Sequence, residues 1–332
     1  MKKAIVFLMV MCLTLGLFAG CGNSQKTIGI IKYGNHSSLN DCLEGVEKGL
    51  KEGGITSDEY NIEVLDSNFD SATSATQANS LKNKNVAMIG AIATPSAIAA
   101  ASVAKGKIPV IYCAVSDPYA VGLTELDNVA GSCDILDFNG QLEIIKGVVP
   151  NVKKVGVLYC INEGNSLSQL ETLTKVAKTK GIEIVPQSIT ANNEIVSATN
   201  ALVGKNVDAI TNLTDNTVVG VLTEVLKITN EKKIPIFGSE IDQVKGYEIT
   251  VNGEKQKVGC VASASLDYVE LGRKTGLLMA KVLKGEKITK GEVIKVEDSF
   301  FCYSSEYAKQ LGLEIPQTYV VNGVTKTMKD VA

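Results

Sequence analysis

Short apolar runs alternate along this chain with longer amphipathic stretches. The runs occupy residues 27–34, 61–68, 86–92 and 108–115, then 153–160, 182–189, 207–214 and 234–240. Between them lie stretches of helical length, 38–54, 71–84, 95–107, 166–181, 193–205 and 216–233, several of which close on Lys or Gly. Runs rich in β-branched residues, each followed by a helix, predict βα units on parallel sheets. The four-strand pattern occurs twice, so the expected fold is α/β: two doubly wound parallel-sheet lobes joined by a multi-crossing hinge. Residues 136–150 read as a helix stopped by Pro150, 258–267 as a strand returning to the first lobe, and 268–286 as an amphipathic helix with Asp267 as its N-cap. The expected division is 27–132 plus 262–290 for the first lobe, and 133–261 plus 291–332 for the second. Within 242–265, the Asn-Gly-Glu at 252–254 predicts a hairpin turn.

The N-terminus is of another kind. Lys2 and Lys3 precede an apolar run over 4–18 and then Ala19-Gly20-Cys21. A basic start, a short apolar core and small residues before a cut site make an export signal over 1–20. The run is shorter than the roughly 20 apolar residues a membrane span needs. Phe18-Ala19-Gly20-Cys21 resembles a bacterial lipobox, with Phe18 where Leu is usual. That resemblance implies a lipid, such as palmitate, on Cys21, a polar tether over 21–26, and a mature chain held at the outer face of a membrane. The remaining roughly 310 residues suit two domains of ~150 each.

Composition narrows the chemistry. The formal net charge is −3, and −5 without Lys2 and Lys3. This balance argues against nucleic acid as a partner, since phosphate binding needs basic surface. Arg273 is the one arginine, His36 the one histidine, and there is no tryptophan. A bidentate arginine clamp is therefore almost unavailable to an anionic ligand. Cys42, Cys113, Cys133, Cys160, Cys260 and Cys302 have no metal-ligand spacing and are expected to be mostly free, buried thiols. No nucleophile elbow, Cys/His signature or phosphate loop is present. No enzyme, metal or cofactor is expected.

Open α/β sheets bind ligands beyond the carboxyl ends of their strands. That rule selects the loops 33–38, 93–96, 114–118, 161–166, 214–216 and 238–240, all rich in Ser, Thr, Asn and Asp. Thr94-Pro95-Ser96 stands out: Pro95 suits a first helical turn, where hydroxyls and free N–H groups can hold a carboxylate. Asp215, at a strand end, is the expected partner of an ammonium. Thr94, Ser166 and Asp215 read equally well as helix N-caps, and Glu240 as a solvated loop residue. His36 reads equally as a ligand contact or a structural hydrogen bond, and Tyr33, Tyr112 and Tyr159 as core.

The segments 28–54, 91–123, 153–171, 207–222, 233–240 and 268–286 resemble the ABC-transporter substrate-binding lipoproteins of the TrpX type over nearly the whole mature chain. The resemblance implies a type I periplasmic-binding-protein fold, an aromatic amino acid as ligand, and a separately encoded permease and ATPase as partners. It implies a cleft lined by His36, Ser38, Thr94, Ser96, Ser116, Asn165, Ser166, Asp215, Asn216 and Glu240. The polar loop 35–38 favours tyrosine over tryptophan and phenylalanine. The expected protein is a lipid-anchored, monomeric receptor. A sugar or nucleoside receptor on the same fold, and a surface adhesion lipoprotein, are the alternatives.

Overall fold

The computed structural model describes residues 25–251, 253–296 and 299–332. The export signal, Cys21 and most of the tether lie outside the described residues. The chain begins with β1 (Lys26–Lys32), α1 (Ser37–Glu52), β2 (Tyr60–Asp66), α2 (Ser71–Asn83), β3 (Met88–Ile92), α3 (Thr94–Ala104), β4 (Val110–Cys113) and β5 (Val129–Cys133). It continues with α4 (Phe138–Val148), β6 (Lys154–Cys160), α5 (Gly164–Thr179), β7 (Glu183–Ile189), α6 (Ile195–Val203), β8 (Ala209–Thr211), α7 (Asn216–Val219), α8 (Leu222–Glu231), β9 (Ile236–Gly238) and α9 (Ile241–Lys245). Last come β10 (Tyr247–Val251), β11 (Glu254–Val258), β12 (Ala262–Ser265), α10 (Tyr268–Leu283), β13 (Val293–Lys295), β14 (Phe300–Tyr303), α11 (Ser305–Leu311), β15 (Thr318–Val321), β16 (Val324–Thr327) and β17 (Lys329–Asp330).

Two sheets result. The first has the order β13-β5-β4-β3-β1-β2 and is parallel throughout. The second has the order β17-β14-β12-β9-β8-β6-β7, parallel except where β12 meets β14. Central strands covered on both faces read as continuous apolar runs: all five residues of β3 are buried. The edge strand β2 instead has no fully buried residue.

Three crossings join the lobes: after β5, between β12 and α10, and between β13 and β14. Two of them depart from expectation. Ala262–Ser265 was expected to open the first lobe's returning segment, but β12 pairs with β9 and β14 and belongs to the second sheet. Val293–Lys295 was expected in the second lobe, but β13 extends the first sheet beside β5. The apolar pattern marks each as a strand without stating its neighbour. The hairpin is present, with Val251 opposite Glu254.

Helix α10 is fastened to the first lobe by close backbone approach. Gly45 and Gly49 of α1 face Gly272 and Gly276 of α10; a Cβ on Gly49 would stand 2.1 Å from the Arg273 carbonyl oxygen. Only glycine permits that spacing. Asp267 caps α10, its Oδ1 accepting from the Glu270 N–H at 2.9 Å. Cys42, Cys113, Cys133, Cys160, Cys260 and Cys302 are buried and unpaired.

Candidate functional site

The strand ends of both sheets converge on a small, nearly filled cavity between the lobes. Its lining includes His36, Ser38, Thr94, Ser116, Asn165, Asn216 and Glu240 from the expected set. Asp134, Thr214, Tyr268, Leu39 and Ala114 join them.

Local backbone geometry aims α3 at this cavity. Ala93 and Ala114, which follow β3 and β4, adopt φ of +78° and +54°. Such conformations cost of order 1–3 kcal/mol for a residue with a Cβ and persist where surroundings impose them. They turn the chain sharply from strand into loop. The first backbone bond of α3 runs from the Ala97 N–H to the Ala93 carbonyl. The N–H groups of Thr94 and Ser96 therefore have no partner within the helix, and Pro95 has none to place.

Five buried side-chain atoms of the lining lack a hydrogen-bond partner among the described residues: His36 Nδ1, Thr94 Oγ1, Asp134 Oδ1, Asn165 Oδ1 and Glu240 Oε2. The Ser96 hydroxyl, buried in the first turn of α3, is likewise unpartnered. Native interiors pair nearly all such atoms, so this concentration on one small cavity marks it as built for a polar ligand. Burial pushes the Asp134 and Glu240 carboxyls up to about 7, with Glu240 adding to the rise at Asp134. The Asp134 Oδ2 accepts from the Tyr268 hydroxyl at 3.3 Å.

His36 has a fixed tautomer. Asn216 Nδ2 donates to Glu163 Oε2 at 2.6 Å, which leaves Asn216 Oδ1 as the atom 3.2 Å from His36 Nε2. Nε2 must then carry the proton. Burial depresses the imidazole to about 4, so the ring is neutral and Nδ1 is a free acceptor.

Two expected contacts are redirected. Asp215 is fully buried, but its Oδ2 accepts from the Cys160 N–H at 2.5 Å and Ser166 Oγ at 2.7 Å, while Oδ1 accepts from the Val218 N–H at 2.9 Å. It caps α7 and does not line the cavity, and Ser166 serves it. The ammonium role expected of Asp215 has no free oxygen to perform it. Glu163 organises the same region: it accepts from the N–H and side chain of both Asn216 and Thr217. Asp134 was missed because β5 was not recognised as a strand; the rule of carboxyl ends, applied there, selects it. Glu240, expected equally as a solvated loop residue, is 2% exposed. Tyr33 and Tyr112 lie in the core as expected; Tyr268 is the tyrosine that reaches the cavity.

The lobes touch at the cavity rim. Ser116 and Thr214 share a hydrogen bond of 2.9 Å, and His36 meets Asn216. Phe69, held at φ +60°, stacks on His36 with ring centroids 6.1 Å apart. A Cβ on Gly34 would lie 2.1 Å from the Phe69 ring, and one on Gly220, in the other lobe, 2.9 Å from its tip. Phe69 thus has no room to yield. Gly220→Val is expected to hold the lobes apart: small-angle scattering at saturating ligand should show no compaction, and affinity should fall at least ~10-fold. Wild-type closure in this variant would remove Phe69 from the closed state.

A chain of two α/β lobes crossed three times, with a polar cavity between them, is a binding protein of the type I periplasmic fold. Residues 27–326 match the ABC transporter substrate binding protein family, and the chain belongs to it; the family comprises receptors, not enzymes. A tyrosine-binding protein of Clostridioides difficile (strain R20291) is 33% identical over 296 residues, 87% of this chain and 82% of its own. An ABC domain in complex with L-Trp, from Streptococcus pneumonia, is 31% identical over 89% of this chain and 97% of that one, with a TM-score of 0.81. The ligand-free, open structure of a substrate-binding protein with adhesive properties, from Clostridium difficile, is 30% identical over 92% of this chain and 100% of that one, with a TM-score of 0.63. At similar identity the chain fits the ligand-bound structure better than the open one, in keeping with the contacts between its lobes.

Proposed function

We propose that this protein is an extracytoplasmic receptor of an ABC importer, anchored by lipid on Cys21, that captures an aromatic amino acid. Tyrosine is favoured, then tryptophan, then phenylalanine. The observation that carries this reading is the set of unpartnered buried polar atoms around the cavity between the lobes, with Asp134 Oδ1 and Glu240 Oε2 placed to take an ammonium. Thr94 and Ser96, with the free N–H groups of α3, suit a carboxylate without arginine. Leu39, Ala114 and Tyr268 supply apolar surface for a ring. His36 Nδ1 accepts a hydrogen bond from a phenol hydroxyl or an indole N–H; phenylalanine offers it nothing. Leaving that acceptor unpaired costs ~1–3 kcal/mol, so phenylalanine should bind roughly 10- to 100-fold more weakly than tyrosine. The names of the relatives point the same way. The monomeric receptor would close around its ligand and present both lobes to a permease, with an ATPase behind it.

Titration calorimetry of the mature protein with tyrosine, tryptophan, phenylalanine and a polyol tests the reading. Binding of tyrosine in preference to phenylalanine supports it; binding of the polyol with no amino acid bound sinks it. Cys21→Ala should release the protein into the medium, and retention on the cell would refute the anchor.

A further inference from the structure

The strands of the first sheet run parallel, so their amino ends and the carboxyl ends of the helices between them gather at the pole of the lobe opposite the cavity. Helix α10 runs the same way as its neighbour α1, with Gly272 beside Gly45 and Gly276 beside Gly49, and ends at the same pole. Lysines concentrate there. Lys82 and Lys84 close α2, Lys105 and Lys107 follow α3, Lys284 follows α10 and Lys26 opens β1; all six are exposed. Of these, Lys84 alone makes an ion pair among the described residues, with Glu63 at 2.5 Å. The Lys26 ammonium lies 6.0 Å from the centroid of the Tyr60 ring. An open depression beside them is lined in part by Tyr60, Val282 and Leu283. Lysines at helix carboxyl ends complement the helix dipole, and the second lobe has its own at Lys178, Lys205 and Lys233. Charge alone therefore does not single out the first pole. The entry of the chain does: β1 starts there, five residues after Cys21.

Resting on the reading of a lipid on Cys21, we propose that the lysine-rich pole of the first lobe is a docking surface for anionic phospholipid headgroups. Five residues span at most ~18 Å when fully extended, so an anchor at Cys21 keeps this pole close to the bilayer surface. The unpaired ammonium groups meet the negative potential of an anionic leaflet, an attraction that grows with each lysine and fades within a Debye length. Tyr60 adds a ring with a polar tip, the kind of side chain that settles at headgroup level. The chain without Lys2 and Lys3 carries a formal charge of −5, so the rest of the molecule is repelled by the same surface and the basic pole sets the orientation. The seven residues of β1, at ~3.3 Å each, then hold the carboxyl ends of the strands, and the cavity with them, ~23 Å above the headgroups. The receptor stands on its first lobe with the cavity turned away from lipid.

The test uses the mature chain carrying Cys21→Ser, which has no site for the lipid, and vesicles of phosphatidylglycerol with phosphatidylcholine or of phosphatidylcholine alone. Cosedimentation at ~10 mM salt, where charges act over ~30 Å, should find this chain on the anionic vesicles and not on the neutral ones. Salt at ~0.5 M should release it. Lys105→Glu/Lys107→Glu/Lys284→Glu should weaken the binding at least ~10-fold. Lys178→Glu/Lys205→Glu/Lys233→Glu, at the other pole, makes the same change in net charge and should weaken it less than ~3-fold. All six positions are exposed, and thermal unfolding of both triple variants checks that the lobes are intact. Equal losses in the two variants would overturn the docking surface, because bulk charge would then account for both. Equal binding to neutral vesicles, or none to anionic ones at low salt, would overturn it as well. The lipid takes no part in this assay, so a missing anchor shows in the Cys21→Ala release experiment and a missing surface shows here.

Discussion

Glu163→Ala should destabilise the protein by about 3–5 kcal/mol, the scale for breaking a buried charged network by removing one partner. Glu163 is fully buried. Its Oε1 accepts from the Thr217 N–H at 2.8 Å and Thr217 Oγ1 at 2.7 Å; its Oε2 accepts from the Asn216 N–H at 3.2 Å and Asn216 Nδ2 at 2.6 Å. Asn165 Nδ2 approaches Oε2 at 3.3 Å. Alanine leaves these donors buried and unpaired, and each unmet group costs ~1–3 kcal/mol, with incomplete additivity. The effect reaches the ligand as well. Asn216 holds His36, and Asn165 lines the cavity, so both orientations depend on this carboxylate. Denaturant unfolding measures the loss; a change below about 1 kcal/mol would show that solvent or relaxation satisfies those donors and that Glu163 is no keystone.

Tyrosine affinity should fall from pH 8 to pH 5 by at least ~100-fold, the loss for one proton displaced, and by up to ~10,000-fold for two. Asp134 and Glu240 titrate near 7 without a ligand, burial being the main cause in both. Each must be ionised to meet an ammonium, so below pH 7 the ligand competes with protons, at up to tenfold per pH unit for each proton displaced. His36 stays neutral over this range, since it titrates near 4. Asp41, raised to about 6 by burial with Asp242 nearby, contributes less because it does not line the cavity. Stability of the unliganded protein moves the opposite way. Carboxyls whose folded pKa is raised bind more protons folded than unfolded, so their contribution is full below about pH 4 and is lost as pH rises through 7. The unliganded protein should therefore melt lower at pH 8 than at pH 5 from this source, while the liganded one should not. Affinity that is flat across this range would contradict an ionised pair at the ammonium.

The βα alternation was legible because period and segment length depend on local sequence. Thr94-Pro95-Ser96 was legible for a related reason: proline beside hydroxyls at a strand-to-helix turn is a local signature. The sheet membership of Ala262–Ser265 and Val293–Lys295 was not, since a strand's neighbours are chosen by the whole lobe. Asp215 shows the same limit in side-chain chemistry. At a strand end it had the right type and place for an ammonium, but Cys160, Ser166 and Val218 consume its oxygens. Asp134, one residue beyond a short strand of small side chains, keeps an oxygen free. No local pattern distinguishes a satisfied carboxylate from an unsatisfied one; only the three-dimensional count of donors does.

The most direct test of the account is a crystal structure of the mature protein with L-tyrosine. The account predicts one tyrosine in the cavity between the lobes. Its carboxylate should lie on the first turn of α3 at Thr94 and Ser96, its ammonium between Asp134 and Glu240, and its phenol oxygen within hydrogen-bonding distance of His36 Nδ1. Tyrosine bound with its ammonium on Asp215, or found outside this cavity, would contradict it.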